Sequence, residues 1–190
     1  MDILLQGKRP SLEEVSEDLE LPGFLFDMNR FFQRLVGRLL VEHLPGHEVK
    51  KETALHGMMR YAPNENPQGK MPPKPRPDFV VLSKQGPPLL VDAKYRDLWA
   101  KSLPREMLYQ LSMYALSQPY GAQALLLYPA DSPLARRARI EIADPVQASP
   151  RASVVLQPIV LEELWALLAQ PVSVDALNRY VQRLVFGAVD

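Results

Sequence analysis

Between residues 76 and 95 the apolar positions fall into two short runs, Phe79-Val80-Val81-Leu82 and Leu89-Leu90-Val91, parted by Lys84-Gln85-Gly86-Pro87-Pro88. Short runs rich in β-branched residues on either side of turn formers predict a hairpin. Upstream, Leu25, Met28, Phe31, Phe32, Leu35, Val36, Leu39 and Leu40 recur at intervals of three and four. That period predicts a helix over 24–44, capped by Asp27 or Asn29. The partial alternation of Val49, Lys51, Thr53 and Leu55 reads as a first strand within 47–60, and the Pro- and Asn-rich residues 61–75 read as a loop. Pro104 suits the first turn of a further helix that buries Met107, Leu108, Leu111, Met113, Tyr114 and Leu116 and ends at Pro119-Tyr120-Gly121. The continuous apolar run 122–128 is a central strand entered by a crossover. Strands over 140–143 and 152–159 toward the sheet edge, then amphipathic helices over 161–169 and 174–186 with Trp165 and Leu168 in the core, complete an α/β fold. Its expected architecture is a mixed central sheet flanked by helices.

Composition narrows the classes. The 190 residues suit one domain with its own core, preceded by an acidic arm or short helix over 1–23 that opens on a Ser11/Glu14 capping box and closes at Pro22-Gly23. The domain proper is expected over 24–190. With no cysteine, disulfides, zinc ribbons and cysteine-held clusters are excluded. No apolar run approaches membrane-span length and the N-terminus lacks a signal-peptide layout, so the cytoplasm is the expected compartment. The net charge is zero but unevenly spread: residues 1–27 hold two basic and seven acidic side chains, residues 28–110 fourteen and eight. A basic middle third fits a polyanionic substrate.

The chemistry sits in the hairpin. Alternate residues of a strand share a face, so Asp92 and Lys94 project together, away from Val91, Ala93 and Tyr95, and Asp78 faces them across the pair. Two carboxylates and an ammonium set in otherwise buried strands are costly unless a cation joins them. This arrangement suits a magnesium-dependent phosphodiesterase. Arg30, Arg34 and Arg38, four apart, form one ridge on the first helix, and Lys70 and Lys74 lie in the loop before the hairpin.

Pro77-Asp78, thirteen residues, then Asp92-Ala93-Lys94 resembles the signature of PD-(D/E)xK nucleases, whose restriction-endonuclease-like core has this succession of helices and strands. Glu48-Val49-Lys50 also fits the second half of the motif but precedes the Pro-Asp, in the wrong order. Gln110-x3-Tyr114 is similar to the RecB-like branch. "VDAKYRD", "YQLSMYA" and "FDMNRFFQRLV" resemble the McrC nuclease subunits of McrBC modification-dependent restriction systems, over roughly 24–128.

The resemblance implies a DNA endonuclease in which Asp78, Asp92 and the Ala93 carbonyl hold Mg2+ or Mn2+. Lys94 would position the attacking water and Gln110 would assist. Tyr114, Arg76, Lys74, Arg96 and Arg34 would contact nucleic acid. It also implies a GTPase ring partner of the McrB type, while the lack of a span-length apolar run leads to the expectation of no membrane. The helix glutamate of many relatives falls at Gln33, a departure: its amide oxygen would be a fourth metal ligand, or would hold a metal-bound water, but brings no charge. Glu42, Glu48 and Glu52 are candidate substitutes, and His43 and His47 flank the same turn. Two alternatives stay open: a nuclease fold that has lost hydrolysis and serves as a DNA-binding or assembly subunit, and a RecB-like exonuclease.

Overall fold

The computed structural model describes residues 27–84, 86–119, 121–169 and 173–187. The acidic arm, its capping box and Leu25 lie outside them. The chain runs α1 (Met28–His43), β1 (Glu48–Lys51), β2 (Phe79–Leu82), β3 (Leu89–Ala93), α2 (Arg105–Leu116), β4 (Gln123–Ala130), β5 (Ala138–Ala143), β6 (Pro150–Val160), α3 (Leu161–Ala169) and α4 (Val174–Phe186).

The six strands form one mixed sheet in the order β1-β2-β3-β4-β6-β5. The hairpin partners β2 and β3 are antiparallel, as are β1 with β2 and β5 with β6, while β3, β4 and β6 run parallel. Strand β4 is central and almost wholly buried, as an apolar run covered on both faces must be. The crossover helix α2 covers one face, packing Leu111, Tyr114 and Ala115 on Leu90, Leu126 and Val154. On the other face α1 and α4, with Leu164 of α3, bury Phe32, Val36, Leu40, Val181 and Val185 against Val81, Val91 and Leu127. No helix among the described residues is long and apolar enough to cross a membrane.

Helix α1 begins at Met28 because the Asp27 carboxylate accepts the Arg30 N–H at 2.9 Å, one of the two caps expected. It lies unusually close to β2 at Gly37, where a Cβ would come within 2.8 Å of the Phe79 ring. Gly37→Ala is therefore expected to destabilise by about 1–2 kcal/mol in spite of alanine's better helix propensity, because overpacking against a buried ring outweighs it. Urea denaturation checks this, and a rise in midpoint would contradict it.

Several sequence expectations are corrected. The first strand stops at Lys51 rather than continuing toward Arg60, since Glu52 turns into a left-handed conformation with φ 48° and takes the chain out of the sheet. Met113 and Leu116 lie on the open side of α2. Trp165 is 72% exposed and Leu168 is also largely open, because α3 buries only Leu164 fully against the sheet. Pro104 occupies the cap position, not the first turn.

Candidate active site

The register of the hairpin builds the site. Phe79 pairs with Val91 and Val80 with Leu90, so one more step brings Asp78 opposite Asp92. The pairing continues past the strand ends: the Asp78 side chain accepts the Ala93 N–H at 2.8 Å through Oδ2, and its backbone carbonyl accepts the Glu52 N–H at 2.9 Å. Lys94, just past β3, keeps its backbone in the sheet by donating to the Leu127 carbonyl at 3.1 Å. Its ammonium returns to the same face, with Nζ 3.0 Å from Asp92 Oδ2 and 3.6 Å from Asp78 Oδ2.

Asp92 is 1% exposed. Apart from the Lys94 ammonium, nothing in the described structure reaches its buried Oδ2, which leaves that oxygen with room for a further positive partner. Burial first and the Asp78 charge second push the Asp92 pKa up to about 6, against the opposing pull of Lys94. Burial by itself would lower the Lys94 pKa, but the two aspartates outweigh it and hold it above the ordinary lysine range.

Helix α1 reaches the same point. Gln33 Nε2 lies 3.1 Å from Asp78 Oδ1 and 3.5 Å from the Ala93 carbonyl oxygen. One turn earlier the Asn29 side chain accepts the Tyr95 N–H at 3.0 Å, which ties the segment after Lys94 to the start of α1. In the sequence Asn29 reads only as a possible helix cap. A groove of about 400 Å³ opens beside Asp78, lined among others by Arg30, Gln33, Arg34, Lys51 and Glu52. All three arginines of the expected ridge, Arg30, Arg34 and Arg38, thus line the groove beside Asp78, joined by Lys51, which reads in the sequence as an ordinary strand residue.

On the opposite side Gln110 donates to the Tyr114 hydroxyl at 2.9 Å. Tyr114 is 1% exposed and belongs to the α2 core, so the expectation that it contacts nucleic acid is corrected: its ring has no surface to offer. Burial, with smaller contributions from Asp92 and Asp78, raises its pKa, and Gln110 opposes that rise. Gln110, Lys74, Arg76, Arg96 and Arg34 are exposed. Arg34 lines the groove, and Arg96 lines a separate cavity of about 470 Å³ with Tyr95, Asp97 and Lys101.

Of the candidate acids, Glu42 is paired with Arg38 at 2.9 Å and Glu48 with Lys50 at 3.6 Å, which leaves Glu52 as the one in the groove. His43 bonds Asn178 and His47 bonds the Pro45 carbonyl. Among the described residues no third Asp, Glu, His or Cys closes on the two aspartates. Arg137, which the sequence sets beside Arg136 and Arg139, turns inward and donates to the Gln157 side chain at 3.1 Å and the Leu184 carbonyl at 3.3 Å.

A divalent cation that retains most of its waters needs only one or two carboxylates from the protein. The Asp78 and Asp92 carboxylates, with the room left at Asp92 Oδ2, and the Ala93 carbonyl fit such an ion.

This fold, a mixed sheet with the Asp-Asp-Lys cluster at the end of its central hairpin, is the α/β restriction-endonuclease-like class. More narrowly, the chain belongs to the family described as McrBC 5-methylcytosine restriction system component, whose model matches residues 2–129. It is also similar to a chain in the refined half-complex from the tetradecameric assembly of Thermococcus gammatolerans McrB AAA+ hexamers with bound McrC. There the TM-score is 0.52 at 22% identity, covering 85% of this chain and 34% of that one. This chain thus spans about a third of the length of that chain. No curated protein sequence matches it.

Proposed function

We propose that this chain is a Mg2+- or Mn2+-dependent DNA endonuclease, the cleavage subunit of a McrBC-type restriction system that works with an AAA+ ring partner resembling McrB. The observation that carries the reading is the meeting of Asp78, Asp92 and Lys94 on one face of the hairpin end. Family membership and the fold shared with a chain of the McrB–McrC assembly support the assignment to such a system.

Asp78, Asp92 and the Ala93 carbonyl would hold the ion. When bound, it supplies charge neutralisation at the scissile phosphate and a lowered pKa for the attacking water. Lys94 keeps its proton because the two aspartates hold it, so it presents a full positive charge beside the phosphate and orients the water through N–H donors. Arg30, Arg34 and Lys51 in the groove next to Asp78 would guide the phosphate backbone without reading bases. Gln110, held by Tyr114, would assist from α2.

Incubation of supercoiled plasmid with the purified chain, alone and with its AAA+ partner, is expected to give nicked and linear products with Mg2+ or Mn2+ and none in EDTA. A second reading, a DNA-binding subunit that no longer hydrolyses, is favoured by a single observation: Gln33 stands where relatives carry a glutamate, leaving two carboxylates. DNA retention without cleavage under either metal, with and without the partner, would establish that reading and dismiss the first.

A further inference from the structure

Gln33 does more than fill the place of an absent acid. Its side-chain nitrogen lies 3.1 Å from Asp78 Oδ1 and within 3.5 Å of the Ala93 carbonyl, and both of these atoms can only accept. The amide must therefore turn its NH2 group toward them, because its own oxygen would meet two lone pairs. These are two of the three protein donors assigned above to the cation.

We infer that the Gln33 amide is an internal stand-in for that cation, and that the Gln33–Asp78 hydrogen bond and a bound metal ion exclude each other. The inference rests on the reading of this site as a metal centre. A Mg2+ ion held by Asp78 Oδ1 and the Ala93 carbonyl would sit about 2.0–2.1 Å from its oxygens, on the side from which the NH2 group now approaches both, where its charge would meet N–H dipoles pointing the wrong way. Loading then requires the amide to swing away or to rotate its oxygen inward. A glutamate here would add a third negative charge beside Asp78 and the buried Asp92, raising metal affinity but leaving the empty site self-repelling. Glutamine reverses both effects: the empty site is held together and the metal is held weakly. The site would then load fully only when a phosphodiester contributes its own oxygens, so that metal binding and substrate binding become coupled.

The experiment compares wild type, Gln33→Leu and Gln33→Glu in the full chain, by thermal unfolding in EDTA and by calorimetric titration with Mn2+. In EDTA both variants are expected to unfold several degrees below wild type, the leucine for want of a donor to Asp78 and the glutamate through repulsion. With Mn2+, Gln33→Glu is expected to bind about tenfold tighter or more, since a full charge joins the donor set. Gln33→Leu is expected to bind more tightly than wild type, because a competitor has been removed, and an affinity equal to wild type would overturn the exclusion. Weaker binding by Gln33→Leu would overturn the inference, since it would make Gln33 an ordinary oxygen ligand. Equal Mn2+ affinity in all three proteins, or unchanged unfolding in EDTA, would also overturn it while leaving the metal centre standing. No Mn2+ uptake by any of them would overturn the metal-centre reading itself, and the exclusion with it.

Discussion

Asp92→Asn is expected to lower Mg2+-supported cleavage by about 10²–10³-fold or more while leaving the metal-free protein at least as stable as wild type at neutral pH. The two effects have one cause. Asp92 is almost fully buried, with the like charge of Asp78 beside it and only Lys94 to offset both. Its pKa is pushed up to about 6 from 3.8, so the folded chain holds the Asp92 proton more tightly than the unfolded chain does. Between about pH 4 and pH 6 the native state binds more protons than the unfolded state, and stability falls as pH rises through that window. Above it the full cost of a buried carboxylate persists until a cation relieves it. Asparagine keeps the shape and removes the charge. Urea denaturation in EDTA at about pH 5 and pH 7 should therefore show wild type losing stability with rising pH and Asp92→Asn losing less. Cleavage at the wild-type rate by Asp92→Asn would remove the hairpin from the chemistry altogether.

The same hairpin shows how far the sequence can be read. Strand side chains repeat every two residues, so the placement of Asp92 with Lys94 follows from spacing alone, and antiparallel pairing adds Asp78. The helices are equally legible where apolar positions recur at three and four, and α3 and α4 have the expected bounds. What periodicity does not contain is the identity of the neighbour. Trp165 and Met113 fit the apolar pattern of their helices but fall beyond the edge of what the sheet covers, so they stay open. The end of β1 was illegible for a different reason: a left-handed Glu52 has no sequence signal of the kind a glycine provides. Within the site, Gln33 was visible only as a substitution. That its nitrogen, not its oxygen, faces Asp78 depends on two acceptors brought together from positions 45 and 60 residues away. Lys51 and Asn29 likewise gain their meaning from α1 crossing so close to β2 at Gly37.

Lys94→Met is expected to be the most destabilising change within the site, by about 3 kcal/mol in EDTA at neutral pH, and to abolish cleavage even where metal still binds. The ammonium, only partly exposed, is the charge partner of both aspartates. A methionine fills much of the same volume, so the loss is electrostatic: Asp92 remains buried beside Asp78 with no cation to offset it, while Asp78 keeps only the N–H donors of Gln33 and Ala93. Its pKa must then rise above its present value, and the variant should recover stability as pH falls toward about 5, more steeply than wild type does. Adding Asp92→Asn to Lys94→Met should restore most of the loss at neutral pH, so that the two substitutions together cost less than their sum. Mg2+ should stabilise Lys94→Met more than wild type, because an ion between the aspartates supplies the charge that the ammonium no longer does. Calorimetry should accordingly find Mg2+ binding retained while product formation is lost, the split expected of a residue that orients the attacking water rather than one that holds the metal. If Lys94→Met were as stable as wild type across this pH range and unaffected by Asp92→Asn, the three charges would be independent of one another, and the hairpin end would carry no cation-binding cluster.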